Sequence, residues 1–253
     1  MKILKSIAVA FSMYSRIPMP RFIWASDDMK YHLIFFPFVG AVIGVVEYLW
    51  FMLHQALGLD KLIFVFIAMA IPLLITGGFH LDGFMDTSDA LSSFQTKERR
   101  LEILKDPHIG AFSVIRVIIY GLIMASSLLL FDKMGLITWS IMFFESRAVS
   151  GICVIKYKKA KDDGLLSTEA RTADDKKVLI ALIIEFIAVA LIAGLFLQYY
   201  FTVALIALVL SLVYYIYIAY ARFGGVTGDL AGWFVCNTEL MVAIAIAIFT
   251  VLK

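Results

Sequence analysis

Long apolar runs alternate with short polar segments along most of the chain. Seven windows, at about 31–53, 62–79, 111–131, 135–155, 178–197, 199–219 and 231–252, reach the roughly 17–25 residues that a helix needs to cross the hydrocarbon core of a bilayer. They leave no stretch long enough for a soluble domain, so the pattern predicts one all-α, polytopic helical membrane domain over 1–253. Polar segments at 1–30 and 80–110 read as an N-terminal arm and a cytoplasmic loop with short helices. Within the arm, Ile3, Leu4, Ile7, Ala8 and Phe11 share a helical face suited to lying on a membrane surface. That segment is too short for a cleaved signal, no small-residue cleavage site follows it, and Pro18 and Pro20 break the chain instead.

Composition agrees with the pattern. Hydrophobic residues make up 62% of 253, and mean hydropathy is +0.92, above the roughly 45–50% apolar content of soluble domains. The net charge of +2 matters less than its distribution. Lys2, Lys5, Arg16, Arg21 and Lys30 lie in the arm, and Lys97, Arg99, Arg100 and Lys105 follow the second window. Lys156, Lys158, Lys159, Lys161, Arg171, Lys176 and Lys177 follow the fourth. Only Lys61, Lys133 and Lys253 fall on the other side. The positive-inside rule then puts the N-terminus and the segments near 80–110, 160 and 225 in the cytoplasm, and the C-terminus outside. Cys153 and Cys236 are isolated, which suits neither a disulfide framework nor a zinc site.

The densest candidate chemistry follows the second window, where residues 77–91 read Gly-Gly-Phe-His-Leu-Asp-Gly-Phe-Met-Asp-Thr-Ser-Asp-Ala-Leu. Asp82, Asp86 and Asp89 stand at i, i+4 and i+7 and share one face of a helix. Like charges at that spacing repel, and oxygen-only ligands favour a hard cation such as Mg²⁺, which takes one or two carboxylates plus substrate phosphates. Thr96 is placed to cap a short helix with Glu98 and Glu102 one turn apart, and its Arg99 and Arg100, with nearby Lys105, form a basic face. Such a face is a solvated topology signal or a diphosphate-binding element. Asp106 is either a fourth metal carboxylate or a turn residue ahead of Pro107. His80 and His108 make zinc a minority reading.

Two further features stand out. Residues 222–229 read Arg-Phe-Gly-Gly-Val-Thr-Gly-Asp; Gly224, Gly225 and Gly228 ahead of a helix let backbone N–H groups approach an anion, or form a plain turn with Asp229 as N-cap. Glu47, Glu145, Arg147, Glu185 and Glu239 lie inside apolar windows at about 2–3 kcal/mol each on insertion scales. Arg147 and Glu239 line a cavity towards the aspartates or form structural ion pairs. Gly40 and Gly44 offer a small-xxx-small helix contact.

The chain resembles the adenosylcobinamide-GDP ribazoletransferase (cobalamin synthase) family. The resemblance rests on residues 11–20, 36–40, 77–86, 99–110, 146–147 and 224–229, in that order, although Leu81 stands where the family is often acidic. It implies attack by the hydroxyl of α-ribazole, or of its 5′-phosphate, on the phosphorus bonded to cobinamide in adenosylcobinamide-GDP. GMP leaves, and adenosylcobalamin or its 5′-phosphate forms, with Mg²⁺ required and Mn²⁺ as a substitute. Asp82, Asp86 and Asp89 then hold the metal with Asp106 and Asp229 as further ligands, and Asp89 or Asp229 is the candidate base. Arg99, Arg100, Lys105, Arg147 and Arg222, with Gly224, Gly225 and Gly228, would bind phosphate. The implied partners are the lipid bilayer of the cytoplasmic membrane and other cobalamin-assembly enzymes, with no nucleic acid. Two rivals are a CDP-alcohol-type membrane phosphotransferase and a cation transporter. The first wants Ala-Arg after Asp-Gly, where Phe84-Met85 stands, and the second wants acids at the midplane of broken helices.

Overall fold

In the computed structural model, residues 2–20, 22–23, 28–160 and 175–253 are described; Arg21, Lys161 and Arg171 of the basic segments lie outside them. Helix α1 (Lys2–Tyr14) buries Val9, Ala10 and Tyr14 and leaves Ile3 and Leu4 exposed, as an interfacial helix would. A 3₁₀ turn at His32–Phe35 leads into α2 (Phe36–Leu57), so the first apolar helix starts and ends later than its hydropathy window. Pro37 sits at the helix start, where its missing N–H costs nothing, and Gly58 at φ 60° closes the other end.

The remaining elements are α3 (Lys61–Thr76), α4 (Phe79–Ser92), α5 (Lys97–Ile103), α6 (Ala111–Leu129), α7 (Lys133–Lys156), α8 (Asp175–Ile218) and α9 (Gly228–Leu252). A single π turn at Ala219–Phe223 follows α8. The 80–110 segment, expected as a loop with short helices, carries most of α4 and all of α5, and only two residues separate α3 from α4. Among the described residues, four helical stretches are long and apolar enough to cross a membrane, and a fifth counts if α3 and α4 are one bent span. This is a polytopic helical membrane protein.

Helix α8 would run about 66 Å if straight, twice a bilayer core. It breaks at Gln198 (φ 38°, ψ −111°), between the fifth and sixth hydropathy windows. Contacts show which way the two arms run. Leu182 packs on Gly151, and Tyr157 and Tyr220 meet ring to edge at 6.2 Å, so both outer ends of α8 lie beside the end of α7. Tyr200, next to the break, instead donates to Asp132 at the start of α7, and Lys253 donates to the same carboxylate. Lys61 Nζ reaches the Phe131 carbonyl at 3.1 Å at that same end.

The arm, α4, α5 and the segments at 157–160 and 219–229 gather at the opposite, basic end. There Arg16 N donates to Ile75 O at 2.7 Å, and Ala160 N to Val226 O at 2.9 Å. Between the two ends, α2 and α7 cross in backbone contact. Any Cβ at Gly40 or Gly44 would collide with the carbonyls of Phe143 and Ser140, so the small-xxx-small pair is a packing seam. Helix α9 runs through the middle, burying Trp233, Phe234, Val242 and Ile246 against its neighbours.

Candidate active site

Gly77 (φ 66°) and Gly78 (φ 82°) both adopt left-handed backbone, which stops α3 at Thr76 rather than at Phe79. Across this break the chain bends by 97°, and α4 turns against the basic end of α9. Two glycines let them touch. A Cβ on Gly83 would stand 2.7 Å from the Asp229 carbonyl oxygen, and one on Gly232 would stand 3.0 Å from that of His80. The buried face of α4 carries His80, Phe84, Thr87 and Ser88. At 100° per residue, Asp82, Asp86 and Asp89 lie about 180–240° round from His80, all within a roughly 60° arc. Asp82 is exposed, and Asp86 and Asp89 are half-buried.

The acidic face extends onto α9. Thr227, not Asp229, caps that helix: its Oγ1 accepts from Leu230 N at 3.1 Å. Asp229 stands in the first turn instead, relieved of the expected capping role. Burial first, then the charges of Asp82, Asp229 and Asp89, push the Asp86 carboxyl up to about 6. Four carboxylates thus feel one another, the electrostatic condition that a cation relieves. Asp89 lies directly against Gly110, where any Cβ would overlap the carboxylate. Among the described residues no group of three or more His, Cys, Asp or Glu side chains is placed to hold a metal ion by itself. An open set of oxygens fits a hard ion that shares its shell with substrate phosphate. Asp106 turns away to its own turn, accepting from His108 N at 3.0 Å and meeting His108 Nδ1 at 2.6 Å.

The basic residues divide into separate places. Arg99 pairs with Glu102 at 2.6 Å on the exposed face of α5, which Thr96 caps through Arg99 N at 3.4 Å. Lys105 stands in the turn that leads to Gly110 and hence to Asp89. Arg100 is buried and extends to the Arg222 carbonyl at 3.3 Å, on the Phe84–Ser88 side of α4. Arg147 is fully buried and pairs with Glu239 at 2.9 Å. The pair does line a cavity of about 240 Å³, together with His80 and Tyr120, but it lies on the side of α4 facing away from the aspartates. The glycine segment is also committed: Gly225 N donates to Ala219 O, and Val226 N to Lys158 O. A Cβ on Gly225 would meet Ala160 N at 2.6 Å, whereas Gly228 opens into free space at the start of α9.

Comparison with known proteins matches the cobalamin-5-phosphate synthase family (CobS) across residues 6–247. The chain belongs to this family. It is 43% identical to the adenosylcobinamide-GDP ribazoletransferase of Lachnoclostridium phytofermentans over 98% of this chain and 95% of that one. It is 32% identical to the protein of the same name from Clostridium botulinum strain Alaska E43, covering 97% and 98%. A third, from Clostridium perfringens strain SM101, is 30% identical over 93% and 94%. No solved structure matches.

Two arginines take up positions in this CobS-family chain that the pattern of hydrophobic and charged residues did not single out. Arg16, counted only as a topology charge, lays its side chain across Gly77 at the α3–α4 break, so that any Cβ there would collide with it. The signal was present in the 11–20 stretch that carries the family resemblance. Arg116 lies six residues into α6, where an interfacial cation is ordinary and draws no notice.

Proposed function

We propose that this chain is an adenosylcobinamide-GDP ribazoletransferase, joining adenosylcobinamide-GDP to α-ribazole or its 5′-phosphate with release of GMP. The observation that carries the reading is the shared face of Asp82, Asp86 and Asp89 beside Asp229, in a chain aligned end to end with relatives of that name. The attacking hydroxyl forms a new O–P bond to the cobinamide phosphate. The P–O bond to GMP breaks, and the hydroxyl proton passes to Asp89 or Asp229.

Asp82 and Asp86 would hold Mg²⁺ or Mn²⁺, which would supply positive charge to neutralise the diphosphate. The protein's own share is positioning and charge. Arg16, lying across Gly77 at the α3–α4 break, and Lys105, in the turn before Gly110, would meet phosphate oxygens. The open space at Gly228 leaves the start of α9 accessible to an anion. We place this end in the cytoplasm, with the N-terminus inside and the C-terminus outside, because the described Lys and Arg of the connecting segments crowd there.

The test is direct: purified protein in lipid vesicles, given adenosylcobinamide-GDP and α-ribazole, should release GMP in step with cobalamin formation. Excess EDTA should stop the reaction and Mg²⁺ restore it. Asp82→Asn and Asp86→Asn should each abolish turnover while keeping the helical circular dichroism spectrum. Full activity in EDTA, or in both variants, removes the metal assignment, and no GMP from wild-type protein removes the reaction.

A further inference from the structure

A second pocket lies on the other flank of α4, about 140° round the helix from the aspartates. It encloses about 550 Å³ between α4, α5, α6, the end of α8 and α9. Arg100, Arg116 and Arg222 all line it, with Ser88, Ser92 and Asn237. Arg100 is 7% exposed, yet its Nε has no hydrogen-bond partner. No carboxylate pairs with any of the three arginines among the described residues, and burial together with the Arg222 charge disfavours the protonated form of Arg100. Arg100 is buried while Arg116 and Arg222 stand exposed at the pocket's mouth, and three like charges around one cavity favour an anion.

The rest of the pocket says what kind. Ile119, Ile123, Tyr214 and Leu240, all from the long apolar helices, continue its wall away from the arginines, and the first three are exposed where lipid would lie. A phosphate with a hydrocarbon tail matches both halves: the head on the arginines at the basic end, the chain along the apolar wall. A nucleotide would leave that wall bare, and it lies on the wrong flank of α4 for the metal-binding carboxylates.

We infer that this pocket is a binding site for an anionic phospholipid, whose phosphate is held by Arg100, Arg116 and Arg222. The two arginines expected from sequence to bind substrate phosphate thus act on the membrane instead. Bound there, the lipid would tie α5 and the end of α8 to α6 and steady the flank of α4 that faces away from the chemistry.

The experiment measures phosphatidylglycerol retained by the purified full chain, by native mass spectrometry, and the melting midpoint in phosphatidylcholine nanodiscs with and without phosphatidylglycerol. Wild type should retain the lipid and melt higher with it. Arg116→Ala should bind about fivefold more weakly and lose most of the melting increment. Arg116→Lys should keep part of both, and Lys133→Ala, at the far end, should change neither. Equal retention by wild type and Arg116→Ala overturns the inference. So does protection by GMP, rather than by phosphatidylglycerol, that Arg116→Ala abolishes.

Discussion

Replacing Gly83 with alanine tests the architecture of the site without touching a charge. The new Cβ would fall about 0.7 Å inside the 3.4 Å at which ordinary contact with the Asp229 carbonyl begins, and 2.9 Å from its Cα. Both obstacles are backbone, so no side chain can swing aside and α4 must move off α9. Overpacking of this kind costs about 1–3 kcal/mol. In a chain of this size that lowers the melting midpoint by about 2–10 °C. The same shift carries Asp82 and Asp86 away from Asp229, and a displacement approaching 1 Å costs up to about 10²-fold in rate. Steady-state GMP release should therefore fall about 10- to 100-fold in kcat for Gly83→Ala, in protein that still inserts and folds. Gly194→Ala, with nothing within 4 Å of the added methyl, is the control and should match wild type or melt slightly higher. Wild-type kcat in a folded Gly83→Ala would show that the glycine contact does not register the carboxylates.

Other outcomes follow from the same geometry. Asp86, raised in the fold from 3.8 to about 6, contributes stability that is present below its unfolded value and lost as pH rises through about 6. Screened by its partial exposure, this is about 1–2 kcal/mol. The stabilisation of the melting midpoint by Mg²⁺ should therefore be larger at pH 7.5 than at pH 5, and Asp86→Asn should flatten that difference; an equal Mg²⁺ effect at both pH values would contradict it. Arg147→Ala strands Glu239 in the core and should destabilise by about 3–5 kcal/mol, read as lost expression or a much lower midpoint, whereas Arg99→Ala breaks only an exposed pair and should shift the midpoint by less than about 1 kcal/mol equivalent. Single cysteines at Gln95 and Lys158 should both react with an impermeant thiol reagent only when the cytoplasmic side is opened, and labelling of either in intact cells would invert the topology.

The apolar segments were legible because a bilayer demands long hydrophobic runs, and each of the seven windows coincides with a helix or one arm of α8. Their ends were less legible because caps, not hydropathy, set them. Asp132 starts α7 before Gly135 by accepting its N–H at 2.8 Å, and Gly77 and Gly78 end α3 early. The aspartate face was readable from spacing alone, since i, i+4 and i+7 fix direction once the segment is helical. Asp229 was harder: its place beside Asp86 depends on Gly83 and Gly232 letting two distant helices touch, and no local pattern encodes that. The arginines divided for the same reason. Arg99 and Arg100 are neighbours in sequence, but 100° of helical rotation sends one to solvent and the other into a pocket.

The far end of the bundle is stapled. The Asp132 carboxylate gathers Tyr200 and Lys253, and Lys61 holds the Phe131 carbonyl, so α3, α7, α8 and α9 are tied within a few residues of one another. Helices fastened at one end behave as levers. The 25 residues of α9 span about 37 Å, and a rocking of about 3° around the staple carries the Asp229 end through about 2 Å. Ångström-scale closure on a diphosphate thus needs only about half that movement in the lipid-facing middle. Cutting the staple with Asp132→Ala should then be felt at the opposite pole as a lower kcat, and an unchanged kcat would mean that the staple serves stability alone.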